Sequence, residues 1–280
     1  MSHLLTRRRF LAGLIAAPAL VGLYTWRVEP VWVEFVQRDL PIARLPSALA
    51  GKIMVQLSDI HIGRRVDDDY VAGVFRRVRE LQPDVIVHTG DLVSYEGEPS
   101  FAHAARLLEG FPRGRLGTFA ILGNHDYGRN WSEPRVAERL AGLLRNAGCT
   151  VLRNEIAEVA GCKIVGLDDT WAGQFAPQRV MPLLGAHQPA IVLSHNPDTC
   201  DMPGWGEYRG WILAGHTHGG QCKPPFLPPP LLPVGNKRYT AGEFDLSGGR
   251  KLYINRGVGH LLRVRFNVRP EVTVFRLTAA

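Results

Sequence analysis

Five times along this 280-residue chain a short apolar run ends directly in a cluster of small and polar residues. Ile53–Leu57 leads into Ser58-Asp59-Ile60-His61, and Val85–Val87 leads through His88 into Thr89-Gly90-Asp91. Phe119–Leu122 leads into Gly123-Asn124-His125-Asp126, Ile191–Leu193 into Ser194-His195-Asn196, and Trp211–Leu213 through Ala214 into Gly215-His216-Thr217-His218. Runs this short, with apolar residues at successive positions, read as strands buried on both faces. In open α/β sheets, sites form beyond the carboxyl ends of such strands, so five polar clusters at five strand ends can converge on one place.

The segments between the strands supply helices. Asp69–Leu81 sets Val71, Val74, Phe75, Val78 and Leu81 at helical spacing, turns Arg76, Arg77, Arg79 and Glu80 outward, and is stopped by Pro83. Pro134–Ala147 repeats the device, with Ser132 as the expected N-cap and Gly148 as the breaker. Thr150–Leu167, punctuated at Asn154-Glu155 and Gly161, reads as antiparallel strands. Tyr239–Leu246, Lys251–Asn255 and Val272–Leu277 read as strands of a second sheet, which gives two β-layers with helices outside. Lys223–Pro233 is Pro-rich and predicts a surface loop beside the last histidines.

Composition narrows the class without naming a function. A chain with 45% hydrophobic and 21% charged residues is neither disordered nor wholly membrane-embedded, and its length suits one large α/β domain. The four cysteines, at 149, 162, 200 and 222, form no Cys-x-x-Cys pair, which disfavours a zinc knuckle; they read as packing residues, and their even count in an exported chain leaves disulfides open. Net charge is +7, of which Arg7, Arg8 and Arg9 carry three, leaving +4 on the body, an excess that suits an anionic substrate or a phospholipid surface.

The first residues read as an address. Thr6-Arg7-Arg8-Arg9-Phe10-Leu11, followed by an uncharged apolar run to Trp26, resembles the twin-arginine export signal. Ala17-Pro18-Ala19 offers a cleavage site, while the uncleaved run sits at the lower end of the roughly 17 to 25 residues that span a membrane. The expected organisation is a twin-arginine signal peptide or signal anchor at 1–27, a linker and lead-in at 28–50, and the folded domain at 51–280.

Carboxylate, imidazole and amide donors suit Mn²⁺, Fe²⁺ or Zn²⁺. Asp59, Asp91, Asn124 and the histidines at 61, 195, 216 and 218 exceed what one ion needs if positions stay open for water and substrate, so two ions are implied. Asp59 and His61 can chelate as a pair, as can His216 and His218. Taken in order, the five blocks resemble the signature of calcineurin-like metallophosphoesterases, from about Gly51 onward.

The resemblance implies a four-layer αββα sandwich with two mixed sheets and a dinuclear centre between them. By matching motif, Asp59, His61, Asp91 and His218 would hold one ion, Asp91, Asn124, His195 and His216 the other, and His125 would be the general acid. Two divalent ions less two carboxylates and a bridging hydroxide leave a centre of net +1, suited to receiving a phosphate or phosphodiester anion. Asp126 and Asp198 are open between orienting a histidine and holding a loop; His88 is read as a core residue, and His3, His103, His187 and His260 as structural or surface residues.

Gly90-Asp91-Leu92-Val93 and Gly123-Asn124-His125-Asp126 differ from the forms seen in serine/threonine protein phosphatases, which disfavours a protein substrate. Ser194-His195-Asn196-Pro197-Asp198, Gly215-His216-Thr217-His218-Gly219-Gly220-Gln221 and Arg269-Pro270-Glu271 resemble the bacterial exported phosphodiesterases of the YkuE and YaeI type, related to UDP-2,3-diacylglucosamine hydrolases. His260-Leu261-Leu262-Arg263 departs from that pattern at the substrate rim. The expected activity is metal-dependent hydrolysis of a phosphodiester or phosphoanhydride, on a phosphorylated small molecule or an envelope lipid. UDP-2,3-diacylglucosamine is one candidate, and a non-catalytic metal scaffold is the rival. Expected partners are a membrane surface and the twin-arginine machinery rather than nucleic acid. The expected location is the periplasm, the cell wall or the outer face of the cytoplasmic membrane.

Overall fold

A computed structural model of the protein describes residues 16–185 and 188–280. The Arg-Arg motif and the start of the apolar run after it, residues 10–15, together with His3 and His187, lie outside the described residues. Two six-stranded sheets form the body. In the first, β1 (Glu34–Ile42), β12 (Glu271–Ala279), β2 (Ile53–Leu57), β3 (Val85–Thr89), β4 (Gly117–Ile121) and β5 (Thr150–Val151) lie side by side in that order. In the second the order is β10 (Gly242–Asp245), β11 (Lys251–Ile254), β9 (Trp211–Ala214), β8 (Ala190–Leu193), β7 (Cys162–Gly166) and β6 (Glu155–Val159).

Both sheets are mixed. In the first, β2, β3, β4 and β5 run parallel and β12 is antiparallel to β2; in the second, β11, β9, β8 and β7 run parallel with an antiparallel strand at each edge. Three helices cover the first sheet: α1 (Asp68–Glu80), α2 (Pro99–Leu108) and α3 (Pro134–Asn146). Asp67 caps α1 by accepting the backbone N–H groups of Asp69 and Tyr70, and Val71, Val74, Phe75 and Val78 turn to the sheet. The fourth layer, over the second sheet, consists of short 3₁₀ turns such as Pro177–Arg179, Met181–Leu183 and Pro197–Asp201.

Side-chain alternation explains why the core strands read as unbroken apolar runs. Met54, Val85, Val87 and Phe119 face Ile191, Leu193, Trp211 and Leu213 in the core between the sheets. Val55, Leu57, Ile86 and Ala120 face the helices, while Val192, Ile212 and Ala214 face the 3₁₀ layer. Cys149, Cys162 and Cys200 each pack in a different one of these three cores, as packing residues would.

Four expectations are corrected. Val272–Leu277 belongs to β12 in the first sheet, not the second. Its two faces are both apolar, with Val272 and Val274 toward the helices and Phe275 and Leu277 toward the middle, so its pattern fits either sheet equally. Thr150–Val151 pairs parallel with β4 rather than joining the antiparallel β6–β7 hairpin. The 28–50 stretch holds a nine-residue strand, β1, paired along its length with β12. Ser132 does not cap α3: its hydroxyl donates to the Arg129 carbonyl, and Pro134 at the first turn starts the helix without a side-chain cap.

The parallel strands bring their carboxyl ends to one edge of each sheet, and the two edges meet. Gln56, fully buried at the end of β2, donates from Nε2 to Thr89 Oγ1 at 3.0 Å and to the Ala214 carbonyl, across the sheets, at 2.9 Å. This cross-sheet bond closes the core beneath the strand-end clusters.

Candidate metal centre

At the strand ends the backbone turns sharply. Asp59, His61, Asp91, His216 and His218 all have φ between 49° and 69°, in the left-handed region that non-glycine residues rarely adopt. Each such residue costs on the order of 1–3 kcal/mol and persists only where its surroundings hold it. Here Asp59 N–H donates to the Gly90 carbonyl at 2.9 Å and His61 N–H to the Asp91 carbonyl at 3.1 Å, joining the loops after β2 and β3. His216 N–H donates to the Asp59 carboxylate at 3.1 Å, and the Asp59 carbonyl accepts from Gly259 N–H at 2.7 Å. Two glycines leave room for this crowding. A Cβ on Gly123 would collide with Asp91 Oδ1 and His195 Nε2, and one on Gly215 with Ser58 Oγ and the Asp59 carboxylate.

The seven residues singled out as ligands come together in the groove between the sheets, all of them buried. Two groups of donor atoms result, one from Asp59, His61 and His218 and one from Asp91, His195 and His216. In the first, His61 Nε2 lies 3.0 Å from His218 Nε2, and His218 Nε2 lies 3.3 Å from Asp59 Oδ1. In the second, His195 Nε2 lies 3.1 Å from Asp91 Oδ2 and 3.2 Å from His216 Nδ1. The same Asp91 Oδ2 is 3.6 Å from His61 Nε2, so one carboxylate oxygen faces both groups.

Hydrogen bonds on the far side of each ring decide which nitrogen faces the centre. His195 Nδ1 donates to the Thr89 carbonyl at 2.7 Å, which leaves Nε2 free to bind a cation. His216 Nε2 donates to the Pro233 carbonyl at 2.8 Å, which leaves Nδ1. His61 Nδ1 contacts Ser94 Oγ at 3.2 Å, and Nε2 points inward. Asn124 is fully buried, and neither of its side-chain polar atoms has a hydrogen-bond partner among the described residues. An amide buried in that condition costs several kcal/mol unless something coordinates it.

Electrostatics point the same way. Burial pushes His61 well below its ordinary range and His216 down to about 3, so both are neutral donors. Burial opposes the charge on Asp59 and Asp91, yet the facing imidazoles outweigh it and hold both carboxyls below the usual range. Burial also opposes protonation of His195, but Asp91, Asp59 and Asp169 raise it to about 10. The carboxylates thus demand positive charge at the place His195 Nε2 faces, and a cation there would supply it in place of a proton. The donor set, the orphaned amide and this demand fit a pair of divalent ions.

His125 stands at the rim, half-buried, with its ring 5.1 Å from that of His61; its backbone N–H donates to Asp91 Oδ1 at 2.9 Å. Asp126 makes no hydrogen bond to a histidine among the described residues. Its carboxylate accepts backbone N–H groups from Leu92, Val93 and Gly123, stapling the loop after β3 to the loop after β4. Asp198 likewise accepts from Gly235 and Asn236 N–H groups and anchors the end of the Pro-rich loop. His88 is a core residue on β3 whose ring packs edge-on against Phe111, and His260 is bonded to the Arg65 carbonyl.

Three residues beside the centre, and Asp168 next to one of them, escaped the sequence reading. Asp168 and Asp169 follow β7 in Gly166-Leu167-Asp168-Asp169, a sixth strand-end cluster whose signal was present but lacks a histidine. Trp171 packs edge-on against His216 at 4.4 Å and lies tilted by 32° against Trp131 at 4.7 Å, and Trp131 flanks His125 at 6.1 Å, so two indoles wall one side of the centre.

Comparison with known proteins agrees with the geometry. The family profile described as calcineurin-like phosphoesterase matches residues 54–220, which hold all seven buried donors and His125. The chain is 35% identical to phosphodiesterase YaeI of Escherichia coli K12, over 98% of this chain and 100% of that one. It is 32% identical to the metallophosphoesterase YkuE of Bacillus subtilis 168, over 98% of each. It is 28% identical to the UDP-2,3-diacylglucosamine pyrophosphatase LpxG of Chlamydia muridarum, over 95% of each.

Proposed function

The chain belongs to the calcineurin-like phosphoesterase family, a hydrolase of phosphoester bonds that works with divalent metals, and from that premise we propose that it cleaves a phosphodiester or phosphoanhydride on a lipid-linked envelope substrate. In this reading Asp59, His61, Asp91 and His218 hold one ion, and Asp91, Asn124, His195 and His216 hold the other. The observation that carries it is Asp91 Oδ2, which faces both histidine groups at 3.1 Å and 3.6 Å. When bound, the ions supply Lewis acidity toward the phosphoryl oxygens and lower the pKa of a water.

The protein's own groups do the rest. Ser58 Oγ donates to Asp59 Oδ2 at 2.5 Å and fixes the carboxylate, while the Thr89 and Pro233 carbonyls fix the rings of His195 and His216. His125 presents its ring at the rim, where it protonates the departing oxygen. Its backbone tie to Asp91 keeps the acid in register with the centre. Trp131 stands beside His125, so the departing group leaves along an aromatic wall. Such a wall suits an apolar or planar substituent better than a bare phosphate.

The lipid-linked reading draws on that wall, on the apolar N-terminal run, and on the relative whose name specifies UDP-2,3-diacylglucosamine as substrate. Export by the twin-arginine route to the outer side of the cytoplasmic membrane belongs to the same reading. The test is hydrolysis by protein loaded with Mn²⁺, Fe²⁺ or Zn²⁺, comparing bis-p-nitrophenyl phosphate, UDP-2,3-diacylglucosamine and glycerophospholipids. Metal-dependent turnover of at least one lipid is expected; indifference to every lipid removes the lipid-linked substrate.

A further inference from the structure

Three segments far apart in sequence adjoin beside the metal centre, and each carries large apolar side chains into solvent. The Pro-rich loop exposes Phe226 fully, Leu231 to 78% and Leu227 to more than half. The segment after Gly259 exposes Leu262 to 61%. The helical stretch 16–28 exposes Leu23 and Trp26.

Hydrogen bonds from backbone and side chain tie the three together. Lys223 N–H donates to the Phe266 carbonyl at 2.9 Å, Gln221 Nε2 donates to the Leu262 and Val264 carbonyls at 3.2 Å, and Arg265 N–H donates to the Thr25 carbonyl at 3.0 Å. The Pro-rich loop is itself pressed onto the centre. A Cβ on Gly220 would collide with Pro229, and Pro233 accepts the ring N–H of the ligand candidate His216.

Apolar residues at this exposure come singly on most soluble surfaces; grouped on adjoining segments they mark a docking site. Their fringe is cationic. Arg27, Arg65 and Lys223 are exposed, and Arg65 is fixed to the rim by a 2.7 Å bond from Nη1 to the Leu261 carbonyl. We propose that this rim, made by 16–28, 223–233 and 260–266, docks on a lipid bilayer bearing anionic headgroups, with Phe226, Leu227, Leu231 and Leu262 inserted among them. A second copy of the chain would set this cationic fringe against its own image, whereas anionic headgroups complement it. The patch also continues into the helical stretch 16–23, whose exposed Leu20 and Val21 follow the apolar, Arg-headed residues 1–15. Docking of this kind holds the mouth of the metal centre at the headgroup level, where a substrate seated in the bilayer presents its phosphoester.

Docking is independent of which phosphoester is cleaved, and the test keeps the two apart. The full chain is floated with vesicles of phosphatidylglycerol and phosphatidylethanolamine, or of phosphatidylcholine alone, and assayed separately on soluble bis-p-nitrophenyl phosphate. Anionic vesicles are expected to bind it, less so as salt rises. A Phe226→Ser/Leu231→Ser variant, altered only at exposed positions, is expected to bind roughly tenfold or more weakly with soluble hydrolysis unchanged. Leu262→Ser is expected to act in the same direction. Flotation unaltered in these variants overturns the proposal. So does a dimer that becomes a monomer in the variants while flotation stays the same, since that assigns the patch to a second copy.

Discussion

The guanidinium of Arg265 lies 3.4 Å from Nδ1 of His218, and its side chain is fully buried. It has no carboxylate within ion-pair distance among the described residues. Instead Nη2 donates to the carbonyls of Arg256, Gly257 and Gly259 and Nη1 to that of Val268, at 2.6–3.2 Å. Burial lowers its pKa to about 10, so it stays charged. One side chain thus holds the loop after β11 closed behind a candidate metal ligand.

Arg265→Met is therefore expected to strand four carbonyls. Leaving buried acceptors unsatisfied costs on the order of 3 kcal/mol or more in sum, to be read as a lower midpoint in urea unfolding. Metal affinity is expected to fall about tenfold, the usual scale for losing a group behind a ligand. Arg265→Lys, with its single ammonium, is expected to recover only part of either loss. Unchanged unfolding in Arg265→Met would contradict this account.

His125→Ala separates the acid from the metal site. Its ring contacts the centre edgewise and its tie to Asp91 runs through the backbone, which alanine keeps. Metal content measured by mass spectrometry is expected to stay at the wild-type level. Turnover is expected to fall about 10²- to 10⁴-fold for an alkyl leaving group, which needs a proton. The fall is expected to be much smaller for p-nitrophenolate, which leaves without one. Equal losses on both substrates would assign His125 another role.

The strand-end clusters were legible because chemistry and topology coincide there. A parallel strand buried on both faces needs an unbroken apolar run, and a ligand needs Asp, His or Asn, so the boundary between Leu57 and Ser58 shows in the letters alone. The membership of β12 was not legible, since Val272, Val274, Phe275 and Leu277 satisfy a two-faced strand in either sheet. Arg265 was equally hidden. It sits in a stretch of mixed basic and apolar residues, and only the fold reveals that four carbonyls converge on it. Trp131 and Trp171 lie in no strand-end cluster, and only the fold brings their rings to 4.7 Å of each other.

Asp84 predicts part of the acid response away from the metal site. Its carboxylate is buried, accepts Ile53 N–H at 2.9 Å and Arg115 Nη2 at 2.7 Å, and pins the start of β2. Burial alone would raise its pKa, but these donors outweigh it and the folded value falls below 3.8. A depressed folded pKa means that the unfolded chain binds the proton first. The stabilisation is therefore complete at neutral pH and is lost as pH falls through 3.8 toward the folded value. Asp84→Asn is expected to cost about 1–2 kcal/mol at neutral pH. The gap to wild type in urea unfolding is expected to shrink steadily below about pH 4. A gap that widens on acidification would reverse the sign.

Asp91 is the sharpest test of the centre, because one oxygen faces both histidine groups. Asp91→Asn removes the charge and keeps the shape, so both ions should be lost together rather than one. In wild type, metal at 100 times its Kd is expected to add about 2.7 kcal/mol per site to stability. That gain is expected to appear as a rise in Tm on adding Mn²⁺ or Zn²⁺ and to vanish with a chelator. In Asp91→Asn the Tm is expected to be insensitive to either addition, and activity to fall to background. A variant that still binds one ion at wild-type affinity would show that the two groups are separate sites, with Asp91 belonging to only one of them.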